Sequence, residues 1–218
     1  MVDRQSRLHD MVTRQIVARG VRDAAVIAAM RAVSREAFVD PAQAAFAYDD
    51  TPLSIGAGQT ISQPYIVAVM LEAARIATTD VVLEVGAGSG YLAALMGRLA
   101  ARVIAIERQP RLATAARQRL ADMGYTNVEI LTGDGTEGCP GAAPFDAIIV
   151  SAGGPAIPLP LREQLAVGGR LVMPIGRGAD QNLIRLTRSN VDVFDEEEFG
   201  AVRFVPLIGS HGWPASDL

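Results

Sequence analysis

Lysine is absent from this 218-residue chain, in which all 20 basic side chains are arginines. That absence excludes Schiff-base chemistry and the lysine of a phosphate-binding P-loop. Cysteine is nearly absent too, because Cys139 stands alone, and this excludes an internal disulfide and a cysteine-rich metal site. The two histidines, His9 and His211, lie near opposite ends of the chain and match no metal-ligand spacing, so no metal is expected.

The chain also lacks a net positive charge and long apolar runs. The net charge is −4 and the isoelectric point is near 5.2, so no basic field is available to neutralise nucleic-acid phosphates. No run approaches the roughly 20 apolar residues of a membrane span, and no signal peptide is recognised. We therefore expect a cytoplasmic protein that binds neither nucleic acid nor membrane. Nothing in the sequence fixes an oligomeric state, and a monomer or weak dimer is the expectation.

The middle of the chain alternates between short apolar runs and helical patterns. This alternation predicts an α/β fold with a doubly wound, mostly parallel, Rossmann-like sheet. Helices are expected from Tyr91 and over about 111–123. The predicted strands are residues 81–85, 103–106, 128–131, 147–150 and 170–173.

The N-terminal part has a different pattern. Residues 1–40 are predicted to be helical, with Gly20 ending the first helix and Asp23 capping the second. Residues 41–62 are expected to form an ordered loop or short strands, and a third helix follows over 64–74.

The C-terminal part predicts an antiparallel strand pair, residues 182–187 and 201–205, that closes the sheet edge. An acidic stretch, residues 192–198, is expected to separate the two strands. We expect a single domain over 1–218. In it, residues 1–75 form a helical extension with a substrate loop, residues 76–175 form a cofactor-binding core, and residues 176–218 form the C-terminal strands.

A glycine loop follows the first strand of the predicted sheet. The sequence Val82-Leu83-Glu84-Val85-Gly86-Ala87-Gly88-Ser89-Gly90-Tyr91 runs from an apolar strand through three alternating glycines into a helical pattern. This order brings bare backbone against a nucleotide-like ligand in α/β sheets. Glycine suits such a turn because it tolerates positive φ and has no Cβ. The loop is therefore predicted to hold a cofactor.

Two cofactor classes compete for this loop: a dinucleotide and S-adenosylmethionine. In the dinucleotide fingerprint the third small residue permits close helix packing around a pyrophosphate, and Tyr91 would crowd that approach. Glu84, two residues before Gly86, would repel a pyrophosphate but attract an ammonium or sulfonium group. These residues favour S-adenosylmethionine.

Two further acids follow strands of the predicted sheet. Glu107, at the end of the second strand, could accept ribose hydroxyls from either cofactor. Asp134, after the third strand, could accept a hydrogen bond from an adenine amino group. The alternatives are solvated strand ends for the glutamates and an ordinary turn for Gly133-Asp134-Gly135. Three acids at three successive strand ends favour the cofactor interpretation, because open α/β sheets bind ligands there.

A more specific pattern lies upstream, in Gly58-Gln59-Thr60-Ile61-Ser62-Gln63-Pro64-Tyr65. Together with the glycine loop, Gly133-Asp134-Gly135 and the segments 144–150, 164–172 and 204–207, this sequence resembles the protein-L-isoaspartate (D-aspartate) O-methyltransferases. They form a family of class I S-adenosylmethionine-dependent methyltransferases. The resemblance covers most of the chain, from about residue 20 to 213.

The resemblance implies a protein-repair reaction. A methyl group passes from S-adenosylmethionine to the free carboxylate of an L-isoaspartyl or D-aspartyl residue, and S-adenosylhomocysteine is the product. Cyclisation of the ester to a succinimide then allows reopening to normal aspartate. The expected partners are damaged proteins and peptides that carry isoaspartyl residues. A carboxylate is ionised at neutral pH and needs no general base, which suits a motif region without histidine or lysine.

The resemblance also implies roles for particular residues. Ser62 is the expected catalytic residue, whose hydroxyl would donate to the substrate carboxylate, and Thr60 would line the same pocket. The expected cofactor-binding residues are Glu84, Gly86, Ala87, Gly88, Ser89, Gly90, Tyr91, Glu107, Arg108, Asp134 and Gly135. The expected substrate-binding residues are Gln59, Ile61, Val205, Pro206 and Leu207. From the residues alone, Ser62 could instead be a helix N-cap and 205–207 an ordinary edge strand.

The sequence departs from the family's pattern in two places. Ser151-Ala152-Gly153-Gly154-Pro155 stands where many relatives carry a threonine and an alanine run, and the ending 208–213 differs from the animal forms. Two enzyme alternatives therefore stay open, a peptide-specific and a small-molecule carboxyl O-methyltransferase. A non-catalytic S-adenosylmethionine-binding module is a third alternative, although it would not need the intact segment 58–65.

Overall fold

Helices and one small hairpin build the N-terminal part of the computed structural model, which describes residues 4–214. As predicted, Gly20 ends the first helical segment with φ at +108°, and the Asp23 carboxylate caps the next helix. The first helix continues as a π-helical turn over Met11–Ile16. The elements are α1 (Arg4–Asp10), α2 (Ala24–Ala32), an antiparallel hairpin of β1 (Leu53–Gly56) with β2 (Gln59–Ile61), and α3 (Pro64–Ala74).

A seven-stranded sheet follows, in the order β5-β4-β3-β6-β7-β8-β9. The five strands from β5 to β7 are parallel, and β8 and β9 add to the edge in antiparallel pairing, so the predicted fold class is confirmed. Its strands are β3 (Val81–Val85), β4 (Arg102–Glu107), β5 (Val128–Thr132), β6 (Phe145–Val150), β7 (Leu165–Arg177), β8 (Asp180–Asn190) and β9 (Val193–Val202). The helices between them are α4 (Tyr91–Gly97), α5 (Pro110–Asp122) and α6 (Leu159–Glu163).

The chain reverses its direction of travel across the sheet at β3. After β3 it adds β4 and β5 on one side, and it then returns to place β6 on the other side. The carboxyl end of β3 is therefore the switch point at which open α/β sheets bind ligands. Because side chains alternate along a strand, Val82 belongs to the core packed against α2 to α5, and Leu83 belongs to the core on the face of α6.

The C-terminal strands differ from the prediction. The strand expected over 170–173 is the much longer β7, because it continues as a hairpin arm against β8. The acidic stretch is not a spacer but the body of β9, and residues 203–205 lie outside that strand. An edge strand tolerates such charge because its outer side faces solvent, and Glu197 pairs with Arg185 at 2.5 Å.

Gly97, the last residue of α4, marks a close approach between helix and sheet. A Cβ at this position would lie 2.6 Å from Val128 Cγ2 and 2.9 Å from the Tyr125 ring. In urea titration we expect Gly97→Ala to lower the free energy of unfolding by about 1–2 kcal/mol. This net loss is the cost of the steric clash minus the gain in helix propensity when alanine replaces glycine. Gly141→Ala, where a Cβ meets nothing within 4 Å, is the control with little change. Equal losses in both variants would contradict this packing.

Candidate active site

A cavity opens at the carboxyl ends of β3, β4 and β6, and we call it the strand-end cavity. It lies at the switch point of the sheet. All of the predicted site residues line it except Gly90 and Asp134. The predicted residues on its wall are Gln59, Thr60, Ile61, Ser62, Glu84, Gly86, Ala87, Gly88, Ser89, Tyr91, Glu107, Arg108, Gly135, Val205, Pro206 and Leu207. Several lining residues were not predicted, among them Val67, Met70, Leu92, Gln109, Ser151 and Ile208.

The glycine loop owes its shape to backbone hydrogen bonds with the end of β4. The amides of Gly86 and Ala87 donate to the Ile106 carbonyl at 2.8 and 3.1 Å. Gly86 has a φ of +90°, a conformation that favours glycine. Gly90 is turned away from the cavity, since a Cβ there would lie 3.2 Å from the Ala116 Cβ of α5. Gly90, which was expected to bind the cofactor, is not among the residues that line the cavity, and it permits close packing of α5 against the loop.

Glu107 is held in place by two backbone donors. Its Oε1 accepts from the Gln109 amide and its Oε2 from the Gly88 amide, both at 2.8 Å. Each carboxylate oxygen can accept more than one hydrogen bond, so both oxygens can still accept from ligand hydroxyls. The Glu107 carboxylate, which the sequence predicts at a strand end, is therefore already oriented on the cavity wall before a ligand binds.

Glu84 is the most unusual group in the cavity. It is 1% exposed, and within residues 4–214 its Oε2 has no hydrogen-bond partner. Burial raises the pKa of this carboxyl well above its ordinary value, and the nearby Glu107 charge raises it further. Buried carboxylates are normally paired, so this oxygen is available to accept a hydrogen bond from a ligand or to pair with a cationic one.

Asp134, which was expected to accept a hydrogen bond from an adenine amino group, does not line the cavity. Its Oδ1 accepts from the amide and hydroxyl of Thr136, and its Oδ2 accepts from the Ser210 amide at 2.7 Å. Burial alone would raise the pKa of Asp134, but these hydrogen bonds outweigh it and lower the pKa. The carboxylate ties the C-terminal segment to the turn, and its neighbour Gly135 lines the cavity instead.

Tyr91 forms part of the cavity wall while its hydroxyl is directed to the N-terminal helices. Its ring centroid lies 5.3 Å from that of Phe38, and its hydroxyl donates to Met30 Sδ at 3.8 Å. Tyr91, the residue whose size argues against a dinucleotide, therefore makes a buried contact between α4 and the helical extension.

A second cavity, the adjoining cavity, shares part of its wall with the strand-end cavity. The two have Thr60, Ser62, Ser151 and Val205 in common. The rest of the adjoining cavity comes from Pro52, Gln63, Ile66 and residues 201–204. The shared residues therefore stand between a cavity with buried carboxylates and one that faces the hairpin and the end of β9.

Ser62 is not the N-cap of α3, so that interpretation was wrong. The cap position belongs to Gln63, which makes no side-chain capping bond. Instead, Asp50 Oδ1 accepts from the Tyr65 amide at 3.2 Å, and Gln63 Nε2 donates to the Asp50 carbonyl at 2.9 Å. Asp50 therefore stabilises the start of α3, and the Ser62 hydroxyl does not cap this helix.

The segment 205–207 is extended but pairs with a loop rather than with β9. The Gly153 amide donates to the Val205 carbonyl, and the Leu207 amide donates to the Gly153 carbonyl, both at 2.8 Å. Pro206, between them, has no N–H and directs its carbonyl to the other side. Backbone pairing with a substrate peptide would therefore rely on one carbonyl of this segment.

The strand order, the glycine loop and the buried carboxylate at the switch point together define a class I S-adenosylmethionine-dependent methyltransferase. A family model described as protein-L-isoaspartate(D-aspartate) O-methyltransferase matches residues 6–212. The chain belongs to this family, and the resemblance found in its sequence is confirmed.

Individual relatives agree with the family match. A protein-L-isoaspartate O-methyltransferase of Pelobacter propionicus is 54% identical over 97% of this chain and 94% of its own. One from Methylorubrum extorquens is 56% identical over 96% and 92% of the two chains. A Plasmodium falciparum structure, described as a beta-aspartate methyltransferase in complex with S-adenosyl-L-homocysteine, superposes with a TM-score of 0.80 at 26% identity and covers 94% of this chain and 98% of its own. Across residues 4–214, no helix has the length and apolarity needed to cross a membrane.

Glu84→Gln tests the cost of the buried carboxylate. A raised pKa means that the folded state holds an extra proton between the ordinary and the raised value, so stability falls as pH rises through that window. Glutamine does not titrate there. We therefore expect Glu84→Gln to stabilise the cofactor-free protein at neutral pH by about 1–3 kcal/mol in urea titration, with a smaller gain in acid.

The control for this variant is Glu129→Gln, because Glu129 is half exposed on β5 and pairs with Arg102 at 3.1 Å. Its effect should stay below about 1 kcal/mol at every pH. A Glu84→Gln variant with the same stability as the unmodified chain at all pH values would show that the carboxylate carries no burial penalty.

Proposed function

We propose that this chain transfers the methyl group of S-adenosylmethionine to the free carboxylate of L-isoaspartyl and D-aspartyl residues in damaged proteins and peptides. The observation that carries the proposal is the wall shared by the two cavities. Ser62 and Thr60 stand on that wall, and the strand-end cavity that they line also contains the desolvated Glu84 carboxylate. Membership of the isoaspartate methyltransferase family supports the choice of acceptor.

The strand-end cavity fits S-adenosylmethionine on two observations. The Glu84 Oε2, which has no partner in the described residues, suits a ligand with a positive charge. Glu107 lies on the same cavity wall, with both carboxylate oxygens oriented by backbone amides and able to accept further hydrogen bonds. Glu84 would hold the cationic amino-acid part, and Glu107 would accept from the ribose hydroxyls. When bound, S-adenosylmethionine supplies an electrophilic methyl group.

The chain's own residues position the acceptor rather than move a proton. An acceptor carboxylate is already ionised at neutral pH, so the site needs no general base. The Ser62 and Thr60 hydroxyls can donate to it and fix one oxygen toward the strand-end cavity. The negative charge of Glu107 in that cavity repels an anionic acceptor until a cationic ligand is bound there. This charge arrangement favours an order of binding in which the acceptor enters second.

The direct test is methyl transfer from labelled S-adenosylmethionine to an isoaspartyl peptide, with its aspartyl twin as the control. We expect base-labile label on the isoaspartyl peptide only, because a methyl ester at that carboxylate hydrolyses in mild base. Equal labelling of both peptides would indicate a less selective carboxyl methyltransferase. No labelling of either peptide, with S-adenosylhomocysteine still bound, would indicate a binding module and overturn the proposal.

Ser62→Ala tests the role of the shared wall. Loss of one hydrogen bond to a charged acceptor should lower kcat by about 10- to 100-fold. Affinity for S-adenosylhomocysteine, measured by calorimetry, should stay nearly constant. Ser54→Ala is the matched control, because Ser54 lies exposed in the same hairpin and lines neither cavity. A Ser62→Ala variant that loses cofactor affinity and turnover in parallel would assign Ser62 to the cofactor pocket.

A further inference from the structure

Arg35 is a fully buried cation in the helical extension. It is 0% exposed and begins a short 3-10 turn, Arg35–Phe38, between α2 and β1. In the part of the chain that the structure describes, its hydrogen-bond partners are carbonyl oxygens only. The guanidinium donates to the carbonyls of Ala47 at 2.7 Å, Thr51 at 3.0 Å, Ile61 at 3.4 Å and Ser62 at 3.0 Å.

The surroundings of this charge are unusual for a buried arginine. Buried charges are normally paired with an opposite charge, and here backbone dipoles take that role. Burial lowers the pKa of the Arg35 guanidinium, and the charges of Asp50 and Asp49 offset part of this effect from a distance. The Nε has no partner in the described residues, so the hydrogen bonds from the two terminal nitrogens to four carbonyls are what stabilise the buried charge.

Those four carbonyls lie on both sides of the β1–β2 hairpin. Ala47 and Thr51 precede it, whereas Ile61 and Ser62 close it. The planar guanidinium, with five donors in a fixed arrangement, therefore joins the two ends of the hairpin at a single point. We call residues 59–63 the acceptor segment. Within it the contact falls on the backbone of Ser62 itself, one residue before the N-cap of α3.

We propose that Arg35 is a positioning residue for methyl transfer, which holds the backbone at 61–62 so that the Ser62 hydroxyl stands on the wall shared by the two cavities. This inference rests on the proposed function of Ser62. Arg35 itself does not line either cavity, so its effect reaches the acceptor through the Ser62 backbone.

A second buried arginine provides a matched control. Arg185 on β8 is 6% exposed, and like Arg35 it has a buried Nε without a partner in the described residues. It donates to the Ala73 carbonyl at 3.2 Å and pairs with Glu197, and it lines neither cavity. Substitution of either arginine by lysine removes the planar donor arrangement from a buried place, but only Arg35→Lys does so at the acceptor segment.

The experiment compares Arg35→Lys with Arg185→Lys in the full chain. Hydrogen–deuterium exchange of residues 59–63 should accelerate in Arg35→Lys and stay unchanged in Arg185→Lys. With the isoaspartyl peptide, Arg35→Lys should lower kcat by about 10- to 100-fold, because small displacements of a positioning group reduce turnover strongly. Its affinity for S-adenosylhomocysteine should stay unchanged. Arg185→Lys should keep the kcat of the unmodified chain.

A double variant separates positioning from stability. If Arg35 acts through Ser62, Arg35→Lys should reduce kcat little further once Ser62→Ala is present, whereas independent effects would multiply. Multiplying losses, equal losses of kcat in the two lysine variants, or unchanged exchange at 59–63 would each overturn the inference. Arg35→Gln, which removes the buried charge, replaces Arg35→Lys if the latter does not fold. Failure of both under conditions in which Arg185→Lys folds would assign Arg35 to folding and also overturn it.

The exchange measurement keeps this inference separate from the proposed function. If the unmodified chain does not methylate the isoaspartyl peptide, the proposed function fails. The role of Arg35 in ordering 59–63 is still decided by exchange. If the unmodified chain is active but exchange at 59–63 does not respond to Arg35→Lys, only the inference fails.

Discussion

The burial of the Glu84 carboxylate at the end of β3 is the constraint on which the site depends. The strand order places this residue at the switch point, and the two neighbouring strands remove it from water. A carboxylate without a partner in that position disfavours the folded, ligand-free state. The same desolvation strengthens its attraction for a cationic ligand, because electrostatic interactions are larger in a medium of low dielectric constant. The buried Glu84 therefore destabilises the ligand-free protein at the place where a positive charge is to be bound.

The second half of the site depends on the helical extension rather than on the sheet. Ile55 of β1 lies against the glycine loop, since a Cβ at Gly88 would come within 3.1 Å of its Cδ1. Asp50 holds the start of α3 and pairs with Arg19, while Arg35 joins the two ends of the hairpin. The acceptor segment is therefore fixed by contacts within the extension, and Ile55 packs the hairpin against the glycine loop of the sheet. A class I core without this extension would retain the buried carboxylates but lack the wall that carries Ser62.

What the sequence could predict was local. The strand β3, its glycine turn and the start of α4 at Tyr91 are contiguous, and each is encoded by short-range patterns that a reader can recognise. The features that local patterns did not indicate come from contacts between distant residues. Gly90 serves packing against Ala116, Asp134 is occupied by Ser210, and the acidic residues of β9 are tolerated because that strand is an edge. No periodicity marks Arg35 as buried. An arginine beside the apolar residues Val33 and Phe38 was the only signal available.

The central claim, that a desolvated Glu84 selects a cationic ligand, is tested most directly by the protons exchanged on binding. Calorimetry of S-adenosylhomocysteine binding, in two buffers of different ionisation enthalpy at a series of pH values upward from acid, gives the number of protons released. Burial raises the pKa of Glu84, and a bound positive charge lowers it again, so within the pH window between the two pKa values the unmodified chain should release protons that Glu84→Gln does not release. Equal proton release by the two chains, or none by the unmodified chain, would contradict the account.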